Sequence, residues 1–367
     1  MAARAKRIML VLPSLGRGGG EHVFLQLAGQ FLDAGREVHV VALLGGGPLG
    51  TCVPHGATLH ELADTGSRSH GLALARRSLP KFVSLLRDAR PDAVLSTMTG
   101  ANLLVALAHR RARSDARLVL REASSLVNVR SALKRRAMRW LYRRADALVG
   151  VSAGVAQDLR SLGLDVSRIR VIHNPVDAMR LRQLAAAGPT VESLAGVPYI
   201  VALGRLTAAK DYPTLLRAFA ASTLRHSHGL VVVGGGEARE NLEALARELG
   251  LAAHVLLLGA MDNPYRVLAG ASLFVLSSRW EGYPNALLEA LALHVPVVAT
   301  DCLHGPREIL AGGRYGRLVP VGDARALARA MDAELAAPSA RGDDVVVAHA
   351  PRDIATQYLA LLDGAGK

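Results

Sequence analysis

Twice along this chain a short apolar run ends in glycine and gives way to a helical pattern, and that repeated unit constrains the fold more than any other feature. The first copy runs over residues 7–15, then Gly16-Arg17-Gly18-Gly19-Gly20-Glu21, then helical spacing through Leu25, Leu27 and Phe31. The second runs over 199–203, then Gly204-Arg205-Leu206, then a helix reaching Phe219. A strand buried on both faces reads as a continuous apolar run, and joining it to a parallel neighbour needs a crossover, usually helical. Around these units the alternation continues. Strands are expected at 37–44, 93–96, 117–121, 147–151 and 169–172, and later at 229–233, 254–258, 272–276 and 295–299. Helices are expected between them, at 102–109, 131–145, 153–162 and 240–249. The alternation predicts an α/β fold of two doubly wound, parallel-sheet, Rossmann-like domains. A chain of 367 residues, half of them apolar, has the material for two cores. The boundary is placed at 175/176, the second domain ends near 350, and 351–367 is expected to be a helix returning towards the first domain. Residues 178–197, rich in alanine and polar side chains, read as a linker or surface excursion.

In such sheets ligands bind beyond the carboxyl ends of the strands. In the first domain that rim comprises 16–20, 97–102 and 121–125, which makes Gly16, Gly18, Gly19, Asn102, Arg121 and Glu122 candidate site residues. Glycines after a strand let a ligand approach the backbone while a helix N-terminus faces it, although a plain tight turn explains them too. A dinucleotide fingerprint is disfavoured. Glu21 stands where its last glycine would be, and the next strand ends in Gly45-Gly46-Gly47 with no acid for a ribose.

The richest stretch is Arg279-Trp280-Glu281-Gly282-Tyr283-Pro284-Asn285-Ala286-Leu287-Leu288-Glu289-Ala290-Leu291. Gly282 and Pro284 end the strand before it, and strong helix formers follow from Ala286. Glu281 therefore falls in a loop and Glu289 about one turn into a helix, on the face of Asn285. The helix start offers N–H groups and a positive dipole end, which suits a phosphate.

The net charge of +13 is unevenly placed. Residues 1–174 carry 26 Lys and Arg against 12 Asp and Glu, and the remainder is nearly balanced. An excess confined to one half marks a partner surface, either an anionic membrane or nucleic acid. The helix at 131–145 concentrates it: Lys134, Arg135, Arg136, Arg139, Arg143 and Arg144 are interleaved with Leu133, Met138, Trp140, Leu141 and Tyr142. Such a helix can lie on an anionic bilayer, or its apolar residues can simply face the sheet. Arg76, Arg77 and Lys81 beside Leu79, Phe82 and Leu85 repeat the theme and favour the membrane. No helix-turn-helix, zinc or RNP pattern supports nucleic acid. Cys52 and Cys302 have neither disulfide-framework nor zinc spacing. The apolar run at 8–12 is short and interrupted by Pro13, so a first buried strand is expected there rather than a secretory signal. No apolar stretch is long enough to span a bilayer.

Taken in order, these pieces resemble the GT-B glycosyltransferases of the large retaining family 4. The matching residues are the glycine loop at Gly16 to Gly20, Asn174-Pro175-Val176-Asp177, Gly204-Arg205-Leu206 followed by Lys210, the Glu-x7-Glu of Glu281 and Glu289, and the segment 301–310 with its Gly305-Pro306-Arg307-Glu308. Together they span nearly the whole chain. The resemblance implies two Rossmann-like domains facing a central cleft, the first binding acceptor and the second a nucleotide sugar. It assigns Arg205 and Lys210 to the donor diphosphate, Glu281 to hydroxyls of the transferred sugar and Glu289 to the ribose diol. Gly282, Tyr283, Pro284 and the backbone at Asn285, Ala286 and Leu287 would line the phosphates, and Met261 would lie near the base. Cations at the diphosphate stabilise charge gained by the leaving group, so the family needs no metal, and no Asp-x-Asp pair occurs here. One departure stands out. Where many members carry a His-Asp or similar pair at the end of a first-domain strand, this chain has Arg121-Glu122.

The expected function is retaining transfer of a hexose or N-acetylhexosamine from a nucleotide sugar, UDP-linked by preference, to a lipid-linked or envelope-polysaccharide acceptor. No cofactor is expected. The enzyme would be cytoplasmic and peripheral on the inner face of the cell membrane. The segment 303–308 resembles that of members that transfer N-acetylhexosamines. Alternatives are a GT-B epimerase or phosphorylase-like enzyme, and a basic, non-catalytic nucleic-acid-binding protein.

Overall fold

The structure is a computed structural model that describes residues 5–63, 72–127, 129–189 and 191–364. The chain divides into two compact units: unit 1 holds the residues up to Pro175 and those from Pro351, and unit 2 runs over Val176–Ala350.

Unit 1 is built in the order β1 (Arg7–Ser14), α1 (Gly19–Asp33), β2 (Glu37–Leu44), β3 (Thr58–Glu61), α2 (Leu72–Ala89), β4 (Ala93–Thr97), α3 (Thr99–Ala112), β5 (Arg117–Glu122), α4 (Ala132–Tyr142), β6 (Ala147–Gly150), α5 (Ala153–Ser161) and β7 (Ile169–Val171). The sheet order is β3-β2-β1-β4-β5-β6-β7, with every pairing parallel. Side chains alternate between its faces. Met9 and Val11 join a core with Phe82, Leu104, Met138 and Leu159 from α2, α3, α4 and α5. Ile8, Leu10 and Leu12 join the opposite core with Phe24, Leu27 and Phe31 from α1. The period of two that sends neighbours to opposite sides makes both faces apolar, which is why the strands read as unbroken apolar runs.

Unit 2 begins with a helix, α6 (Ala178–Ala187), where a linker was expected. Asp177 starts it by accepting the Arg180 N–H at 2.9 Å. The helix then binds its neighbours through carbonyls: Asn263 donates to Leu184 at 2.8 Å and Arg266 to Gly188 at 3.1 Å. Alanine-rich composition hid a helix in which only Leu181 is buried. The unit continues with β8 (Tyr199–Leu203), α7 (Tyr212–Ala221), β9 (Gly229–Val233), α8 (Arg239–Glu248), β10 (Val255–Gly259), α9 (Tyr265–Ala269), β11 (Leu273–Leu276), α10 (Asn285–Ala292), β12 (Val297–Thr300), α11 (Pro306–Ile309), β13 (Arg317–Val319), α12 (Ala324–Ala336) and α13 (Asp343–Ala348). Its strands lie in the order β10-β9-β8-β11-β12-β13, again parallel throughout. One face is closed by Leu215 and Phe219 of α7, Leu242 of α8 and Leu327 and Met331 of α12. The edge strands β3 and β13 escaped the sequence reading because runs of 4 and 3 residues are too short to show a period.

The chain ends in α14 (Pro351–Leu362), which belongs to unit 1. Ile354, Ala355, Tyr358, Leu361 and Leu362 enter the core already formed by α1. Arg36 grips the helix end, its Nη2 lying 2.7 Å from Asp363, whose other oxygen accepts the Ala5 N–H at 2.8 Å.

Candidate functional site

In unit 2 the carboxyl ends of β8 and β11 meet at one ion pair. Lys210, in the 3-10 turn after β8, places its Nζ 2.6 Å from Glu281 Oε1, and Ser278 Oγ donates to the same oxygen at 2.7 Å. The backbone around them is fixed from several sides. Ser277 Oγ donates to Lys210 O at 2.7 Å, Arg279 N to Ala209 O at 2.8 Å, and Thr300 Oγ1 to Ser278 O at 2.6 Å. Arg279 also pairs with the buried Asp211 at 3.0 Å. Arg205 is exposed on the same loop while Leu206 is buried. The loop sits against the end of β9 so closely that a Cβ on Gly234, whose φ is +154°, would lie 1.9 Å from Gly204 O. Only glycine fits there.

Glu281 leads into the turn of Gly282, Tyr283 and Pro284, which is held by neighbours of its own. Glu281 N donates to Leu303 O at 3.0 Å. Gly305 has φ +95°, and a Cβ there would reach within 2.5 Å of the Pro284 ring and 3.0 Å of Tyr283 Cα. The Tyr283 hydroxyl bonds His349 Nε2 at 2.5 Å. Burial and the neighbouring Glu308 carboxylate push the Tyr283 phenol well above its usual range, so it stays protonated. Helix α10 then starts at Asn285 with no side-chain cap. Its Leu287 N–H, expected to face phosphate, is instead turned back on Pro284 O at 3.2 Å.

Glu289 sits on α10 beside Tyr265, whose hydroxyl lies 3.4 Å from its Oε1. Burial drives the carboxyl up to about 7, a rise that the Tyr265 hydrogen bond and the Lys210 charge partly offset. Burial, with the Glu281 charge, pushes the Cys302 thiol up to about 12, a rise that Thr300 and the Lys210 charge partly offset. Met261 lies between β10 and α9, half-buried. The loop therefore gathers Lys210 and Glu281, with the Lys210 charge reaching Glu289, while Arg205 stands exposed on the same loop.

Unit 1 presents a different picture. Gly16, Gly18 and Gly19 form the connection from β1 to α1, with Gly18 N donating to Gly16 O at 2.8 Å and Gly18 as the N-cap residue. Asn102, Arg121 and Glu122, expected to meet an acceptor, are 0%, 0% and 1% exposed. That expectation needs correction, because they spend their hydrogen bonds on one another and on internal neighbours. Arg121 donates to Thr97 and to Asn174, each at 2.6 Å, and lies over the Phe24 ring at 5.5 Å. Asn102 donates to Glu122 at 3.0 Å, Thr99 donates to it at 2.8 Å, and Tyr142 donates to it as well. Burial raises the Glu122 carboxyl, and those three donors hold it back. Asn174-Pro175-Val176-Asp177 thus has a local structural account, since Asn174 takes the Arg121 guanidinium and Asp177 caps α6. His109 bonds Ala116 O at 2.7 Å at the end of α3. Sequence reasoning missed Ser278, Tyr265 and His349. Ser278 stands only three residues before Glu281, in the strand-to-loop step ahead of the motif, whereas Tyr265 is 24 residues from Glu289 and His349 is 66 from Tyr283.

The basic surface is carried by α4. Between Glu122 and Asp146 there are seven Lys and Arg and no acid. Met138, Leu141 and Tyr142 face the core, but Leu133 is 79% exposed and Trp140 45% exposed. The guanidinium carbons of Arg110 and Arg144 lie 4.7 and 4.6 Å from the Trp140 ring centre. On α2, by contrast, Phe82 is fully buried and Leu79 and Leu85 pack on the same core, so that helix does not repeat the theme. No helix among the described residues is long and apolar enough to cross a membrane. Nor do the described residues include three grouped His, Cys, Asp or Glu side chains able to hold a metal ion.

Two family models divide the chain between them: Glycosyltransferase Family 4 matches residues 17–180 and Glycosyl transferases group 1 matches 191–343. The chain is 29% identical over 327 residues, 86% of each protein, to the N-acetylgalactosamine-N,N'-diacetylbacillosaminyl-diphospho-undecaprenol 4-alpha-N-acetylgalactosaminyltransferase of Campylobacter jejuni. It is 32% identical over 228 residues to the lipopolysaccharide core biosynthesis glycosyltransferase LpsE of Rhizobium meliloti, covering 60% of this chain and 65% of that one. Among solved structures, Anabaena HepE in complex with UDP and glucose superposes with a TM-score of 0.75 at 19% identity, over 98% of this chain and 97% of that one. At that identity the likeness shows the fold.

Proposed function

The chain belongs to the GT-B glycosyltransferases of family 4, and from that premise we propose that it transfers a hexose or N-acetylhexosamine, with retention and without a metal, from a UDP-sugar to a lipid-linked glycan. The observation that carries this reading is the Lys210–Glu281 ion pair beside the uncapped first turn of α10. A donor diphosphate brought to this loop meets Lys210 and Arg205, and its arrival competes with Glu281 for the ammonium. Glu281, released from part of that pairing, accepts hydrogen bonds from sugar hydroxyls. Glu289 takes the ribose diol, one carboxylate accepting two O–H donors. As the glycosidic bond breaks, the diphosphate gains charge that Lys210 and Arg205 stabilise more than they stabilise the ground state. Retention requires no protein base when the departing phosphate takes the acceptor proton. The UDP donor is supported by the HepE complexes with UDP and with UDP-glucose, and the lipid-linked acceptor by the substrate in the Campylobacter relative's name.

The acceptor's lipid would bring unit 1 to the membrane. Helix α4 offers cations for anionic headgroups with Leu133 and Trp140 to enter the interface, an arrangement suited to peripheral attachment on the cytosolic leaflet.

The test is a turnover and thermal-shift screen over UDP-, GDP- and ADP-sugars with undecaprenyl-diphosphate-linked acceptors, with and without EDTA. UDP-sugar turnover that survives EDTA and yields the donor's anomeric configuration is the expected result. Inversion, or loss to EDTA that manganese restores, overturns the mechanism. Lys210→Ala is expected to weaken UDP binding about tenfold or more by calorimetry, and unchanged affinity contradicts its role.

A further inference from the structure

Tyr283 lies between the two motif acids in sequence, and its hydroxyl meets a histidine close to the last residue of unit 2. His349 is 5% exposed and its Nδ1 lies 2.6 Å from Val345 O. A carbonyl only accepts, so Nδ1 carries the proton and Nε2 is an acceptor, which makes the Tyr283 hydroxyl the donor across 2.5 Å. The rings are also stacked, with centroids 5.5 Å apart and planes 16° from parallel. The same residue holds a third partner: His349 O accepts the Val176 N–H at 2.8 Å. Val176 and Ala350 are the first and last residues of unit 2, so both points at which the chain enters and leaves the unit meet at His349.

We propose that Tyr283 and His349 are positioning residues that couple the donor loop to the two chain crossings of unit 2. The inference rests on the nucleotide-sugar reading of that loop. The Gly282–Pro284 turn fixes the direction of Glu281 on one side and the first turn of α10 on the other. Its side chain Tyr283 is tied by a buried hydrogen bond to a residue whose backbone fastens Val176. Occupation of the loop by a diphosphate then tightens the Tyr283–His349 bond and, through His349 O, the Val176 amide. Loss of the bond frees the turn and disconnects the crossings from the donor.

The experiment uses the full chain and UDP as the probe. Tyr283→Phe removes one oxygen and keeps the ring. His349→Ala removes the acceptor, and the double variant closes the cycle. Each single variant is expected to weaken UDP binding about fivefold to tenfold by calorimetry, with the double no weaker than either single. In wild type, UDP is expected to slow hydrogen exchange at the Val176 amide, and in Tyr283→Phe that protection should vanish while the fold, checked by circular dichroism, persists. His349→Gln, which can still accept the hydroxyl, should recover part of the affinity. Folded variants with wild-type affinity, or with Val176 still protected by UDP, overturn the coupling. If the wild type binds no UDP, GDP or ADP, the donor reading itself fails and this inference falls with it, whereas wild-type binding with unaffected variants defeats the inference alone.

Discussion

Glu281 and Glu289 lie eight positions apart in a single loop-helix junction, yet their surroundings differ in kind. Glu281 pairs at contact distance with Lys210 and accepts a hydrogen bond from Ser278. Glu289 has the field of Lys210 without a contact ion pair, one long hydrogen bond and a carboxyl that burial raises to about 7. Glu281→Gln keeps the shape and one acceptor oxygen but loses the charge that pairs with Lys210, so turnover should fall about 100-fold or more while the melting temperature moves little. Undiminished turnover would remove Glu281 from the chemistry. For Glu289 the sign follows from the direction of the shift. Its folded value lies above the ordinary 4.5, so the folded protein binds the proton more tightly than the unfolded chain. Stability from this group is full below pH about 4.5 and is lost as pH rises through about 7. Binding of a ribose diol favours the carboxylate, so UDP affinity should fall as pH drops below about 7, and Glu289→Gln should flatten that dependence. Calorimetry at several pH values reads both, and a pH-independent wild type contradicts the assignment.

At the scale of elements, two basic helices of similar composition have different surroundings. In α2 the apolar positions Leu79, Phe82 and Leu85 are consumed by the core, so its cations are a solvated face. In α4 the core takes Met138, Leu141 and Tyr142, and Leu133 and Trp140, seven residues and so about two turns apart on one face, remain outside. Replacing both by serine should cut binding to vesicles of anionic phospholipid while leaving UDP affinity unchanged. Equal sedimentation of wild type and variant with those vesicles would show that α4 is only a solvated helix. Helix α6 makes the opposite point. Its sequence offered no strong stripe, and what fixes it is a cap at Asp177 and carbonyl contacts to Asn263 and Arg266, residues about 80 positions away.

Across the whole molecule, the last helix completes the first unit's core rather than extending the second. Tyr358 of α14 is fully buried among residues of α1 and the sheet. Truncating a buried aromatic to alanine costs about 3–5 kcal/mol. Each unit has one tryptophan, Trp140 in unit 1 and Trp280 in unit 2, so the loss can be localised. In a Trp280→Phe background, Tyr358→Ala should move the urea transition reported by Trp140 to lower concentration. In a Trp140→Phe background the transition reported by Trp280 should move less, and equal shifts would mean that the units unfold together. The sequence by itself determined the two parallel sheets, because a strand covered on both faces must be apolar throughout and a parallel neighbour must be reached through a helix. It also located the loop of Glu281 and Glu289, because breakers and helix formers act over a few residues. Only the tertiary structure decided that Lys210 pairs with Glu281, that Arg121, Glu122 and Asn102 close on one another inside unit 1, and that His349 reaches Tyr283. Those partners are separated by 19 to 71 residues, and the energy of a hydrogen bond or ion pair depends on a distance that no local pattern encodes.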